Sequence, residues 1–393
     1  MESLLLILLL LVSILHWKSF ASLSNEKSYF KINSSSIKQA RKAFMSFDIS
    51  RLQDPPMPSY SFSVYHLDIF EKSKFKDYES LLTNRLAQDH ARATYLASNS
   101  VCISGDPHFH CALSSSLCFY ETTYGSGQTT KGFMQSEVIT FPSDNTQARI
   151  NFGCSIDQKS GAQDFSGTFS GIAGLGRRVS PKAIGGYSLP SQLGSSIFAL
   201  CLPSSTSVQP SVLTFNKAPW SYGTEVKLVR NKLNPHFYNV NIFKIVINDK
   251  VVPVDPSWWN NDNQGVIVDT GTLITRFPHD FYIIFRDVFR LEVKDYEIVE
   301  DGVGPFDTCY KDDPFGAELY FPVVRFYFGN FSPSQELMLV QERALIENAG
   351  YYCLGFFGWN HNFSIIGTNQ LQGTGLTFDT KNNVLTFSVD ACD

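Results

Sequence analysis

Apolar and polar positions change rhythm twice along this chain. Residues 4–14 are an almost unbroken apolar run, too short to span a membrane, and Ser19-Phe-Ala-Ser22 follows with small residues suited to cleavage. The pattern predicts a secretory signal peptide over 1–22, although Glu2 stands where a basic residue is usual. Residues 23–60 are polar and serine-rich, and Pro55, Pro56 and Pro58 break any helix there. Over 74–97, charged residues interleave with Leu81, Leu82, Leu86, Ala93 and Leu96, which predicts a charged amphipathic helix. From Val101 onward, short apolar runs alternate with Gly, Ser and Thr, the signature of an all-β region with many turns. Strands are predicted over 119–124 and 131–141, flanking a hairpin tip at Gly125-Ser-Gly127. Further strands are predicted over 226–229, 237–247 and 266–275. Pro278 opens one helix, whose Phe281, Ile284, Phe285 and Val288 recur at spacings of three and four.

Composition narrows the setting. A length of 393 residues suggests two domains or one large one, and a net charge of −5 argues against a nucleic-acid partner. No segment after the first 22 residues is long and apolar enough to span a membrane. Eight cysteines in an exported chain predict disulfides, with 105 complete pairings open. Cys102, His108, His110, Cys111 and Cys118 form no compact zinc-ligand pair, so disulfides are the better reading there. Sequons at Asn33, Asn330 and Asn362 fit a secreted glycoprotein.

The chemistry concentrates in Gly265-Val-Ile-Val-Asp-Thr-Gly-Thr-Leu-Ile-Thr-Arg-Phe277. An apolar run delivers Asp269 into a Thr270-Gly271-Thr272 turn, and a second apolar run follows. That pattern places a carboxylate at the end of a buried strand, with Gly271 allowing a tight turn. Two apolar-apolar-Gly motifs, Ile172-Ala-Gly174 and Ile365-Ile-Gly367, are each followed by a Gln-Leu pair, and together they suggest an internal repeat. Asp269 precedes Gly367 by 98 residues, which would put a matching aspartate near residue 76. Lys74-Phe-Lys-Asp-Tyr-Glu79 lies there instead, and no Asp-Thr-Gly or Asp-Ser-Gly occurs in the first half.

From about Phe62 onward the motifs resemble, in order, a pepsin-type aspartic protease of the plant nepenthesin-like branch. They are Tyr124-Gly-Ser-Gly127, Asn151-Phe-Gly-Cys154, Gly171-Ile-Ala-Gly-Leu-Gly176, Ser188-Leu-Pro-Ser-Gln-Leu193 and Phe198-Ala-Leu-Cys-Leu202. Asp269-Thr-Gly-Thr272, Phe306-Asp-Thr-Cys-Tyr310, Cys353-Leu-Gly-Phe356, Ile365-Ile-Gly367 and Cys392 complete the series. The resemblance implies an all-β, bilobal fold with a complete C-terminal lobe over 216–393. It also implies a truncated N-terminal lobe over 100–215 and a prosegment-like leader over 23–99. Equal lobes would leave roughly 70 residues of the first lobe absent.

The resemblance further implies that Asp269 is catalytic and that Tyr124, Thr270, Gly271 and Thr272 contact substrate. It implies bonds Cys309–Cys353 and Cys201–Cys392; the first-lobe pairing stays open, one option being Cys111–Cys118, which would leave Cys102 with Cys154. No metal and no cofactor is implied. The expected product is a secreted, apoplastic monomer without membrane association after signal removal, acting on a peptide or protein substrate if active.

Pepsin-type hydrolysis uses two carboxylates about one water, one acting as base and the other, protonated, polarising the scissile carbonyl. One Asp-Thr-Gly therefore predicts an aspartic endopeptidase relative that is inactive as written. The alternatives are an active protease with an incomplete gene model and a non-catalytic binding or inhibitor protein on the same fold.

Overall fold

A computed structural model describes residues 30–31, 61–65, 74–87, 109–111, 118–123, 129–159, 171–177, 188–204, 207, 209–231, 235–255, 265–312, 319–329, 336–339 and 341–392. Strands dominate. A six-stranded antiparallel sheet runs in the order Ser61–Val64, Ser211–Phe215, Ile197–Cys201, Gly375–Asp379, Val384–Ser388, Thr224–Lys227. It draws on both halves of the chain and ties them together. Its central strand Ile197–Cys201 is apolar throughout, and Phe198 stacks on Phe378 of the neighbouring Gly375–Asp379 across the register with ring centroids 4.7 Å apart.

Between the sheet's strands Thr224–Lys227 and Gly375–Asp379 the chain builds a compact second lobe. Five strands lie in the order Asn239–Val240, Gly265–Val268, Phe363–Ile366, Thr275–Pro278, Phe356–Trp359. Gly265–Val268 and Phe363–Ile366 are parallel, as are Thr275–Pro278 and Phe356–Trp359. The predicted strand over 266–275 is thus two strands, because the 269–274 segment leaves the sheet to turn. The helix His279–Glu292 packs on this sheet through fully buried Phe281, Phe285 and Phe289, with Phe277 edge-on to Phe281 at 5.0 Å. Four-stranded and three-stranded sheets complete the lobe.

The first half is built differently. Phe109–Cys111, Cys118–Thr123, Thr129–Thr140 and Gln147–Lys159 form one antiparallel sheet. None of the 13 residues of Gln147–Lys159 is buried, whereas all four of Gly265–Val268 are. Phe152 and Ile156 are 40% and 64% exposed. Ile139 and Ala148 at one end of the sheet pack against the main core, but the strand Gln147–Lys159 is not covered along its length by the described residues.

The segment before residue 100 holds more than a helix. Residues 78–87 are helical, with Asp77 Oδ1 accepting the Ser80 backbone N–H at 2.8 Å as a cap. Leu82 and Leu86 pack against Ile274, Phe306, Cys309, Ile346 and Cys353. Ser61–Val64 adds an edge strand to the six-stranded sheet. The predicted helical residues 88–97 lie outside the described residues.

Disulfides join Cys309 to Cys353 and Cys201 to Cys392. Cys111 and Cys118 stand opposite one another in backbone register. Cys154 carries an exposed free thiol, which corrects the expected pairing with Cys102. Its strand faces solvent, and Cys102 lies outside the described residues. No helix among the described residues is long and apolar enough to cross a membrane.

Candidate active site

Gly265–Val268 ends where Asp269 N–H donates to Ile366 O at 3.1 Å, so the neighbouring parallel strand fixes the start of the turn. The turn then folds onto its own carboxylate. Gly271 N–H donates to Asp269 Oδ1 at 3.1 Å, and Thr272 Oγ1 donates to Asp269 Oδ2 at 2.7 Å. Both donors fix the plane of the carboxylate. Asp269 and Thr270 are half-buried, Gly271 is exposed, and Thr272 is fully buried. The turn is therefore rigid on its inner side and open on its outer side.

The crossing strand makes that rigidity possible. Thr368 N–H donates to Thr272 O at 2.7 Å and Asn369 N–H to Leu273 O at 2.9 Å. Gly367 passes so close that an added Cβ would lie 2.6 Å from Leu273 O. Buried Gln370 then locks three segments together. Its Oε1 accepts from Thr275 Oγ1 at 2.6 Å, and its Nε2 donates to Arg343 O at 2.6 Å and Gly355 O at 2.9 Å. Sequence reading found the Gln-Leu pairs without assigning them this role. The signal was their recurrence after each apolar-apolar-Gly motif.

The first-half counterpart is not assembled this way. Ile172 is 63% exposed where Ile365 is fully buried. A Cβ added to Gly174 would meet nothing within 4 Å among the described residues. Gln192 bonds the exposed edge of Asn151, accepting its N–H at 2.6 Å and donating to its O at 2.9 Å. The repeat's motif is present, but no described strand crosses it. Tyr124, the expected flap residue, lies outside the described residues.

Electrostatics near the second lobe centre on Asp307, away from the Asp-Thr-Gly turn. Burial pushes its carboxyl up, but hydrogen bonds from Tyr282, Thr308 and Arg286 outweigh this and hold it below the usual carboxylate range. Burial, reinforced by Asp307, drives the Tyr282 phenol far above its ordinary value. Among the described residues no group of three or more His, Cys, Asp or Glu could hold a metal ion.

Two strand-built lobes joined by a shared sheet, with an Asp-Thr-Gly turn braced by a crossing strand, define the class of pepsin-like proteins. Comparisons with known proteins agree. The xylanase inhibitor N-terminal and C-terminal family models match residues 71–216 and 237–389. Protein ASPARTIC PROTEASE IN GUARD CELL 2 of Arabidopsis thaliana is 31% identical over 70% of this chain and 57% of its own length. Aspartic proteinase nepenthesin-1 of Nepenthes gracilis is 29% identical over 71% of this chain and 62% of its own length. The crystal structure of Basic 7S globulin from soybean matches with a TM-score of 0.54 at 20% identity, covering 72% of this chain and 78% of that one. The chain belongs to the pepsin-type aspartic protease family, with nepenthesin-like plant proteases among its relatives. It spans about three fifths of the length of these curated relatives, 57% and 62%.

Proposed function

We propose that this chain is a non-hydrolysing member of the aspartic endopeptidase family whose second lobe holds one half of a catalytic pair. The contrast between the two glycines carries the reading. Gly367 is threaded against the Asp269 turn, while Gly174 has no such strand against it among the described residues. Water attack on a peptide bond needs a base on the water and an acid on the carbonyl oxygen at the same moment. Asp269 can serve one of these roles, and the sequence offers no second Asp-Thr-Gly or Asp-Ser-Gly. Thr270, Gly271 and Thr272 would line the substrate side of the turn, and Tyr124 would cover it. The division into 1–22, 23–99, 100–215 and 216–393, export to the apoplast and a monomeric state belong to the same reading.

The test is acid cleavage of a denatured protein substrate by purified chain, with and without pepstatin, beside Asp269→Asn. No turnover in either protein is expected. Pepstatin-sensitive turnover that Asp269→Asn abolishes would overturn the reading.

The relatives' greater length favours a second reading, an active endopeptidase encoded by a longer transcript. Sequencing the transcript around codons 97–101 separates the two: an added Asp-Thr-Gly-Ser would establish the longer product. The family models' description as xylanase inhibitor supports a third, a binding or inhibitor role without catalysis.

A further inference from the structure

Ser364 carries a hydroxyl that the fold does not use. It is fully buried in Phe363–Ile366, the middle strand of the five-stranded sheet, and its Oγ has no hydrogen-bond partner among the described residues. Its surroundings are apolar. In register it lies beside Val266, and alternation puts it on the same face as Ile366; both belong to the main core. A buried hydroxyl without a partner costs free energy, so alanine would serve the strand at least as well. The need for an oxygen at this position therefore lies outside the folded state.

Two residues upstream the chain is open. Asn360, His361 and Asn362 form an exposed bend between Phe356–Trp359 and Phe363–Ile366. The base of the bend is pinned, because Trp359 Nε1 donates to Phe363 O at 2.8 Å and the two rings pack edge-on at 4.5 Å. Asn362 thus stands on a fixed, solvent-facing turn that has room for a bulky attachment. Asn362-Phe363-Ser364 is an acceptor tripeptide for N-linked sugar, with no proline at its centre. Such acceptors are read as amide and hydroxyl together, and in the folded chain only the amide is within reach. The asparagines of the other two sequons, Asn33 and Asn330, lie outside the described residues.

We propose that Asn362 carries an N-linked glycan attached before the second lobe closes, and that Ser364 supplies the hydroxyl of that acceptor. In the transfer, the Asn362 amide nitrogen bonds to the anomeric carbon of a sugar carried on a lipid diphosphate. The sugar–oxygen bond breaks, the lipid diphosphate leaves with the electron pair, and the amide gives up one proton to water. The proposal rests on the export reading above, since the lipid-linked donor is met in the secretory path.

The test is mass mapping of the peptide that holds Asn362, from the full chain expressed in yeast. Enzymatic release of N-glycans in heavy-oxygen water marks each occupied asparagine as a labelled aspartate. One version keeps residues 1–22, and a second replaces them with the signal of a protein known to be secreted. Label at Asn362 in both is expected. Label in the second alone would sink export by residues 1–22 and leave the site standing. Bare Asn362 in the second version, on material secreted or protected inside microsomes, would overturn the proposal. Ser364→Thr should keep the label and Ser364→Ala should lose it. In unglycosylated chain made in bacteria, Ser364→Ala should unfold at the same urea concentration as the parent or a higher one. A lower midpoint would show that the fold uses this hydroxyl, and would overturn the role given to Ser364.

Discussion

Gly367 crosses Leu273 at a separation that only a residue without a side chain permits. An added Cβ would stand 2.6 Å from the leucine carbonyl oxygen and 2.9 Å from Ile274 C. Both obstacles are backbone and cannot swing aside, so Gly367→Ala should cost about 3 kcal/mol or more. Gly174→Ala, at the matching motif of the first half, should change stability by no more than about 0.5 kcal/mol. Urea unfolding of the two variants checks this. Equal losses would mean that the first-half motif is also crossed by a strand.

Gln370 satisfies backbone and side-chain groups on three segments from within the core. Gln370→Ala would leave the Arg343 and Gly355 carbonyls buried without that donor. A loss of about 3 kcal/mol is expected, since each stranded buried polar group costs about 1–3 kcal/mol. Loosening should extend to the Asp269 turn through Thr275, whose Oγ1 accepts from Gly367 N–H at 3.0 Å. Amide exchange at Gly271 and Thr272 should therefore quicken, and unchanged exchange would disconnect the two.

Tyr310 is buried, and its hydroxyl has no hydrogen-bond partner among the described residues. Burial pushes its pKa from 10.0 up to about 12. The unfolded phenol ionises first, so this contribution to stability is intact below about pH 10 and is lost as pH climbs to about 12. Tyr310→Phe should flatten that alkaline decline and raise neutral-pH stability by about 1 kcal/mol. Thermal melts across pH 8 to roughly 12 would read both effects. An unchanged alkaline slope would exclude Tyr310 as a source.

Cys309 and Cys353 sit directly opposite in register and touch the same cluster as Leu82 and Leu86. Replacing both cysteines with serine should cost about 2–5 kcal/mol and place two hydroxyls beneath the 78–87 helix. Limited proteolysis should then cut near that helix sooner than in the parent chain. Cutting at the same rate would show that the helix does not depend on this surface.

Much of this architecture was legible in the sequence, because local rules and tertiary structure agree. The helix after Pro278 follows from Phe281 and Phe285 at helical spacing, and the buried run before Asp269 follows from its unbroken apolarity. The turn after Asp269 was legible from Thr270-Gly271-Thr272, but its extent was not, and the strand predicted over 266–275 divides into Gly265–Val268 and Thr275–Pro278. Ser61–Val64 was not read as a strand, because four residues just past the polar 23–60 stretch are too short a signal until the partner Ser211–Phe215 is known. The meeting of Arg276 with Phe357, 81 positions apart, depends on a parallel pairing that no short window contains.

Cys201 and Cys392 are bonded across 191 positions, Cys201 closing the strand Ile197–Cys201 and Cys392 following Val384–Ser388 of the same sheet. Nearly half the chain is thereby closed into a covalent ring that holds the whole second lobe. A protease that clips any loop between these cysteines opens the ring and releases no fragment. Such damage would pass unseen on a gel run without reductant and appear as two pieces once thiol is added. A cut upstream of Cys201 meets no such tether from this bond. The same enzyme could thus trim residues upstream of Cys201 visibly while leaving a nicked body that still migrates as one species.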